Sequence, residues 1–524
     1  MSDTTNDSNV DVDAEDFYKG SQERELMGHP IGLAICFLTE MWERFSYYGM
    51  RTILVLYLVK YHLYSAAEGS MIYGAYAGLV YMMPIIGGYM ADRYLGSRKA
   101  VTYGAILLVA GHGLMAFHGP ASFMDGDMVV RDEFYIGVFF MALALIITGV
   151  GFLKANISTI VGALYGPNDP RRDGGFSIFY MGINLGSLFS TALVGYVGET
   201  YGWNYGFSIA GIGMLFGLLV FLWGQRYLDG RAEPSNPAIL KEKSLIGLNK
   251  EWTIYLFGLG LVLVTWVLVQ YQAFVGSLLG VSGFVSIAVI LTYAFVKCNK
   301  VERERIMVAC FLIAIQSIFW ALFEQQAASL TLLADQQFDL NILGMNVLAS
   351  QVQLLNALFI VMLAPVMAWL WVALAKKHKE PSTPGKFGLA MLLIGLGYIV
   401  FSWGMSLDAS QSKSFIWLVF IYLSLTLAEL CLSPVGLSMV TKLAVSKIVG
   451  MMMGTWFLFT ALGNYVAGWI SSLTGSSAHG VDSGQLDIVA TMEVYSNIGY
   501  LSMGVGVFIL ALTPLMKKYM HGVH

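Results

Sequence analysis

The sequence predicts an all-α integral membrane protein, and three observations carry that reading. Of its 524 residues, 57% are hydrophobic and only 12% charged, about half the charge of a soluble domain. Mean hydropathy is +0.66. Apolar runs recur along the whole chain, most of them long enough for the roughly 20 residues that a bilayer requires. None shows the alternating segments of about ten residues that mark a membrane β-barrel. This balance excludes an ordinary water-soluble enzyme, a disordered chain and a disulfide-stapled secreted domain. A net charge of −4 offers no basic excess for nucleic acid. Cys36, Cys298, Cys310 and Cys431 fall in or beside apolar runs. They lack metal-ligand spacing and read as buried reduced thiols, so no metal is expected.

Residues 1–30 are polar and acidic, with Asp11, Asp13, Glu15 and Asp16 close together. They lack the basic-then-apolar order of a signal peptide and are expected to form a mobile cytoplasmic tail. Fourteen spans follow, near 31–61, 70–91, 98–118, 134–164, 176–198, 206–227, 252–271, 283–298, 306–333, 344–375, 387–407, 415–441, 448–474 and 491–516. The eighth is the shortest. The link 226–251 carries Pro234, Pro237 and several lysines, and reads as an amphipathic connector.

Charge placement orients the spans. One set of loops holds most of the cations, among them Arg93, Arg98, Lys99, Arg171, Arg172, Arg226, Arg231, Lys297, Arg303, Lys376, Lys442 and Lys517. The opposite loops hold only Lys60, Arg131 and Lys413. Cationic loops stay in the cytoplasm, so both termini are expected there, in a plasma (inner) membrane.

Seven acidic or basic residues lie deep inside predicted spans, away from their ends: Glu40, Glu43, Arg44, Arg51, Lys154, Glu324 and Glu429. A charge at the bilayer centre costs roughly 2.5–3.5 kcal/mol on insertion scales, so such groups face a cavity and a partner. Four acids against three bases leave one carboxylate that a proton can neutralise. In the first span Glu40, Glu43, Arg44, Tyr47 and Arg51 fall within an arc of about 100°. Glu40 and Arg44 are i,i+4 partners, as are Tyr47 and Arg51. Static ion pairs holding the helices together are the plainer reading of the same residues.

The loop Gly88-Tyr89-Met90-Ala91-Asp92-Arg93-Tyr94-Leu95-Gly96-Ser97-Arg98 resembles the signature of the major facilitator superfamily. Its two glycines permit a tight turn, and Asp92 can pair with Arg93 or Arg98. That resemblance implies two six-helix bundles around a midplane cavity, here spans 1–6 and 9–14, with two helices inserted between them. The corresponding divisions are a tail at 1–30, bundles at 31–227 and 306–518, a connector with the extra helices at 228–305, and a tail at 519–524.

Two longer strings narrow the resemblance. Glu40-Met41-Trp42-Glu43-Arg44-Phe45-Ser46-Tyr47-Tyr48-Gly49 and Phe179-Tyr180-Met181-Gly182-Ile183-Asn184-Leu185-Gly186-Ser187-Leu188 are similar to two signatures of the proton-dependent oligopeptide transporter family (POT, or peptide transporters), bacterial type. Lys154 resembles the family's fourth-helix lysine, although Ala155 stands where proline is usual. Phe319 to Gln326 resembles its seventh-helix stretch around Glu324. Asn356, Glu429, Ser433 and Trp456 match its later site positions, and Tyr81 matches its second-helix tyrosine. The second-helix histidine of many members is Gly74 here, so carboxylates would have to carry the proton. His112 reads as a satisfied helix residue.

The resemblance implies import of di- and tripeptides with protons, and no cofactor beyond the proton. It implies Glu429 for the peptide ammonium and Arg51 and Lys154 for its carboxylate. Asn184 and Asn356 would bond its amides, and Tyr48, Tyr81, Tyr180, Trp320 and Trp456 would form loose side-chain pockets. Glu40, Glu43, Arg44, Glu324 and Glu429 would couple the proton. Arg51 with Glu324 would close the outer side, and Lys154 with Glu429 the inner. Glycine pairs 74/78, 182/186 and 450/454 read as helix-packing positions. An intramembrane enzyme is disfavoured, because the chain holds no H-E-x-x-H, G-x-S-x-G or phosphate loop. A carrier for nitrate, amino acids or drugs, or a peptide sensor without flux, remains the alternative. Partners beyond peptide, proton and lipid are not indicated, and oligomeric state is open.

Overall fold

The computed structural model describes residues 24–523, apart from 127, 167–168, 235, 245–246, 343, 409–411, 446 and 476–485, and apart from the side chain of 437. Fourteen long helices dominate: α1 (Ile31–Lys60), α2 (Ala66–Met90), α3 (Ser97–Ala116), α4 (Glu133–Ala163), α5 (Arg172–Tyr201), α6 (Trp203–Gly224), α7 (Lys250–Gln270), α8 (Gln272–Lys297), α9 (Lys300–Phe323), α10 (Leu354–Lys376), α11 (Thr383–Leu407), α12 (Ile416–Leu443), α13 (Val449–Thr474) and α14 (Ile488–Tyr519). Twelve of them are long and apolar enough to cross a membrane on length and composition alone. The other two are α1, which carries the charge stripe, and α13, which carries Thr455, Thr460, Asn464, Ser471 and Ser472. Local chemistry sets the starts. Ser65 and Glu68 form a reciprocal capping box on α2, Asn299 and Glu302 another on α9, and Asp132 and Asp487 cap α4 and α14.

Helices α1–α6 form one bundle and α9–α14 the other, with α7 and α8 inserted. Four expected bounds change. The eighth helix begins at Gln272 and runs 26 residues. Its first two turns hold Gln272, Gly276 and Ser277, which dilute the hydropathy, and only Tyr271 separates it from α7. The ninth span breaks at Glu324–Ala327 into a 3-10 turn, then resumes as Ser329–Gln337. The second bundle opens at Lys300, not 306. Helix α10 is preceded by a 3-10 turn, Ala349–Gln353.

The termini are also more ordered than expected where they are described. Residues 1–23 of the predicted tail lie outside the described residues, but Glu25–Leu26 pairs with His29–Pro30 in a hairpin. Arg171 holds Glu25 at 2.7 Å, and His29 Nδ1 lies 2.8 Å from the Tyr165 hydroxyl. At the other end Arg305 donates to Met520 O and His521 O, docking the last residues on α9. The connector packs beneath the α2–α3 loop. Arg98 pairs with Glu233 and donates to Gln225 at 3.0 Å, so it is not the partner of Asp92. Gly96 has φ +71°, and a Cβ there would lie 2.4 Å from Pro234 N, so the turn needs glycine.

The two hydrophobic cores interlock at the cation-poor end. Val55, Leu56, Val59 and Ala66 of the first bundle belong to the core of the second. Ala327, Ala328, Leu458 and Ala461 belong to that of the first. A Cβ on Gly74 would lie 2.8 Å from Gly468 Cα, so α2 and α13 touch backbone to backbone there. Gly182 and Gly186 are likewise filled, against Phe37 and Met41 O of α1. Gly450 and Gly454 differ from the packing expected of them. Among the described residues nothing stands within 4 Å of a Cβ at either position. Gly450 and Gly454 therefore lack the close neighbour that Gly468, on the same helix, has in Gly74.

Candidate functional site

The stripe on α1 is buried throughout. Arg44 Nε donates to Glu40 Oε1 at 2.7 Å, and Glu43 Oε2 stands equally near at 2.7 Å. One N–H aligns with one acceptor, so Glu43 holds charge contact without a hydrogen bond. Lys154, on α4, is within electrostatic range of Arg44, Glu43, Glu40 and Arg51. Its Nζ sits 3.8 Å from the centroid of the Tyr81 ring, a cation–π geometry.

Arg51 crosses to the other bundle. Its Nη2 pairs with Glu324 Oε2, and both side chains are buried. Glu324 is reached because α9 ends at Phe323 and the backbone tightens into the 3-10 turn there. Arg51 also lies 5.6 Å from the centroid of the Tyr48 ring.

Glu429, on α12, faces Asn356 of α10. Asn356 Nδ2 donates to Glu429 Oε2 at 3.1 Å and to Thr426 Oγ1 at 3.0 Å. Glu429 is within electrostatic range of Glu324 and Arg51, and of Tyr48 and Tyr180 on the first bundle. Ser433 lies one helical turn beyond it, half-buried. Tyr180 is 54% exposed, and the Asn184 amide bonds back to Tyr180 O at 3.0 Å. Trp320 Nε1 donates to Gln316 Oε1 at 2.7 Å, and Gln316 Nε2 donates to Trp456 O at 2.8 Å, tying α9 to α13.

Not every expected partner meets. Among the described residues Lys154 has no carboxylate within ion-pair distance, so the Lys154–Glu429 pair is not formed here. His112 differs too. It is fully buried on α3, and neither ring nitrogen finds a hydrogen-bond partner among the described residues. No group of three His, Cys, Asp or Glu among the described residues is arranged to hold a metal.

Polar ties between bundles, counted among the described residues, all lie at the cation-poor end. Beside Arg51–Glu324 these are Lys60–Asp335 at 2.5 Å, Thr52 to Ser350 O at 2.9 Å, Ser70 with Ser471 at 2.8 Å, Ser350 N to Glu199 at 2.9 Å and Gln351 to Ala192 O at 3.1 Å. Glu199, Asp335 and Ser350 were not singled out from sequence. They sit at helix ends or in turns, where a polar residue carries no signal of its own. The glutamine pair after Glu324 does interrupt the apolar run, and it was the available hint of the break.

Two helical bundles enclosing buried charges, with polar ties between them at the cation-poor end, define a secondary transporter of the major facilitator type. Comparison with known proteins narrows this. Residues 98–485 match the model of the POT family. The chain is 37% identical to the peptide transporter YePEPT of Yersinia enterocolitica, over 94% of this chain and 96% of that one. It is 34% identical to a di-/tripeptide transporter of Lactococcus lactis subsp. cremoris, over 96% and 98%. A crystal structure of a glutamate-to-glutamine variant of the peptide transporter POT, in complex with alafosfalin, superposes with a TM-score of 0.80 at 34% identity, covering 95% of this chain and 98% of that one. The chain belongs to the POT family.

Proposed function

We propose that this protein is a proton-coupled symporter that imports di- and tripeptides by alternating access, seen here in its inward-open state. The cation bias of the loops supports placing the basic end in the cytoplasm, both termini with it, in a plasma (inner) membrane.

One observation carries the reading. A peptide is a zwitterion, and the chain presents opposite charges from opposite bundles: Glu429, held by Asn356, on one side, and Arg51 and Lys154 on the other. Glu429 suits the ammonium, and Lys154, free of a carboxylate in this state, suits the peptide carboxylate. Asn184 and Asn356 carry amides for the peptide backbone. Tyr48, Tyr81, Tyr180, Trp320 and Trp456 supply ring area that asks for no particular side chain. Such walls favour breadth of cargo.

Transport follows from pair exchange. With Arg51–Glu324 formed, the outer side is closed. A proton on Glu324 removes one charge of that pair and favours its parting. Lys154 and Glu429 then meet to close the inner side, and each pair biases a two-state motion. The Glu40–Glu43–Arg44 group lies beside Lys154 and holds two carboxylates for one guanidinium, a second place for the coupling proton. The proton is the only coupling ion the scheme needs, and no cofactor enters.

Purified protein in liposomes, with a pH-sensitive dye inside and an inward proton gradient, tests this. Dipeptide-dependent acidification of the lumen is expected. Binding of labelled dipeptide without acidification would point to a sensor or facilitator, and neither would move the search to nitrate, amino acids and drugs.

A further inference from the structure

A second tie at the outer end uses none of the groups in that scheme. The carboxylate of Glu199, two residues from the end of α5, accepts a hydrogen bond from Ser350 N at 2.9 Å. Ser350 belongs to the 3-10 turn Ala349–Gln353 that leads into α10. The same turn is gripped by Thr52 of α1, which donates to Ser350 O at 2.9 Å, and Gln351 reaches back to Ala192 O at 3.1 Å. Packing is tight: a Cβ on Gly195, one helical turn before Glu199, would lie 2.5 Å from Ser350 Oγ. Three residues past the turn, Asn356 holds Glu429. Of the groups that fasten this turn to the first bundle among the described residues, Glu199 alone can change its charge.

Its charged surroundings are few. From α1 comes the ammonium of Lys60, and from Ser329–Gln337 the carboxylate of Asp335, which pairs with Lys60 at 2.5 Å. The turn itself, α6 and the first turns of α10 contribute no Asp, Glu, Lys or Arg. Two carboxylates therefore share one ammonium at this rim, leaving one negative charge that a proton can remove. A carboxylate accepts a backbone N–H about twice as strongly as a neutral oxygen does.

We propose that Glu199 is a proton-operated latch of the outer gate: ionised, it holds the turn Ala349–Gln353 to α5, and protonated from the outer solution it lets that turn and α10 move away. This deepens the alternating-access reading and rests on it.

The test reads conformation, so it stands apart from transport. Nitroxides at Tyr201→Cys and Met345→Cys, two exposed positions at the outer end, are introduced with Cys298→Ser. Their distance distribution is measured in nanodiscs at pH 8 and pH 5.5 without peptide. The outer-open fraction is expected to rise on acidification, and Glu199→Gln, which keeps an acceptor oxygen, to flatten that rise at least about threefold. Glu199→Ala should raise the outer-open fraction already at pH 8. A Glu199→Gln response equal to that of the parent, or no response in the parent, overturns the latch. Failure of dipeptide-driven acidification in liposomes would instead overturn the transport reading and leave this measurement intact.

Discussion

Asn356 Nδ2 stands 3.1 Å from Glu429 Oε2, across from α10 to α12, while also donating to Thr426 Oγ1 at 3.0 Å. The amide fixes where that carboxylate points. Asn356→Ala removes one bond to a charged group, worth roughly 1.5–3 kcal/mol. Dipeptide affinity, read by intrinsic fluorescence titration, is expected to fall at least about tenfold. Unchanged affinity would show that Glu429 needs no such orientation.

The Arg51–Glu324 pair is buried on both sides. Removing one partner of a buried pair strands the other charge, at roughly 3–5 kcal/mol. Glu324→Gln and Glu429→Gln are each expected to keep peptide exchange in a counterflow assay and to lose uptake driven by a proton gradient. Uphill uptake intact in both would sink the pair-exchange scheme.

Lys154 rests on the face of Tyr81. Tyr81→Phe preserves that face and should leave uptake within about twofold of the parent, whereas Tyr81→Leu gives up a contact worth about 0.5–2 kcal/mol. Lys154→Gln should cost more than either. Equal losses in the Phe and Leu variants would mean that the hydroxyl, not the ring, matters.

Gly74 on α2 and Gly454 on α13 should respond oppositely to one methyl group. At Gly74 a Cβ meets the backbone of Gly468 and Tyr465 at 2.8 and 3.0 Å, and overpacking of this kind costs about 1–3 kcal/mol. At Gly454 it meets nothing. A thermal melt in detergent should fall for Gly74→Ala and hold for Gly454→Ala. The reverse order would contradict these two packing environments.

His62 lies in the loop after α1, with Nε2 2.8 Å from the Tyr57 hydroxyl. Burial, helped by His118 and Arg131, lowers its pKa to about 4. The folded state thus holds it neutral while the unfolded chain protonates near 6.5. Its contribution is complete above about pH 6.5 and is lost as pH falls from there toward 4, on the order of 2 kcal/mol by pH 5. His62→Gln should flatten the decline of melting temperature between pH 7 and 5; an unaltered slope would assign the decline elsewhere.

Much of this was legible before any coordinates. Long apolar runs mark spans whatever their neighbours, so eleven of the fourteen helices fall within four residues of where the runs place them. Arg51 and Glu324 were readable as partners because isolated charges in apolar helices must find each other. What escaped depends on state or on contact. The proposed Lys154–Glu429 pair is one that this conformation does not make. Gly450 and Gly454 look like packing glycines by spacing, yet only the angle between helices decides whether a neighbour is there. The start of α8 was hidden by Gln272, Gly276 and Ser277. Glu199 was hidden by its place near a helix end, where a carboxylate is ordinary until a backbone N–H from another bundle meets it.

The inserted helices fasten to different bodies. Helix α7 is bonded to α3 and α4, through Tyr103 to Tyr255 O at 2.8 Å, Lys99 with Glu251 at 2.7 Å and Trp266 to Gly137 O at 3.1 Å. Helix α8 lies on α13 and α2, with Gly276 under Tyr465 and Leu279 against Gly78. A single residue, Tyr271, joins them. The molecule is thereby stitched along the α2–α13 edge like the spine of a book, while the α5–α10 edge is held at its outer end through the turn Ala349–Gln353. On the alternating-access reading, rotation about that spine would open widest on the α5–α10 flank once the turn lets go, and the swing of that flank would limit cargo bulk.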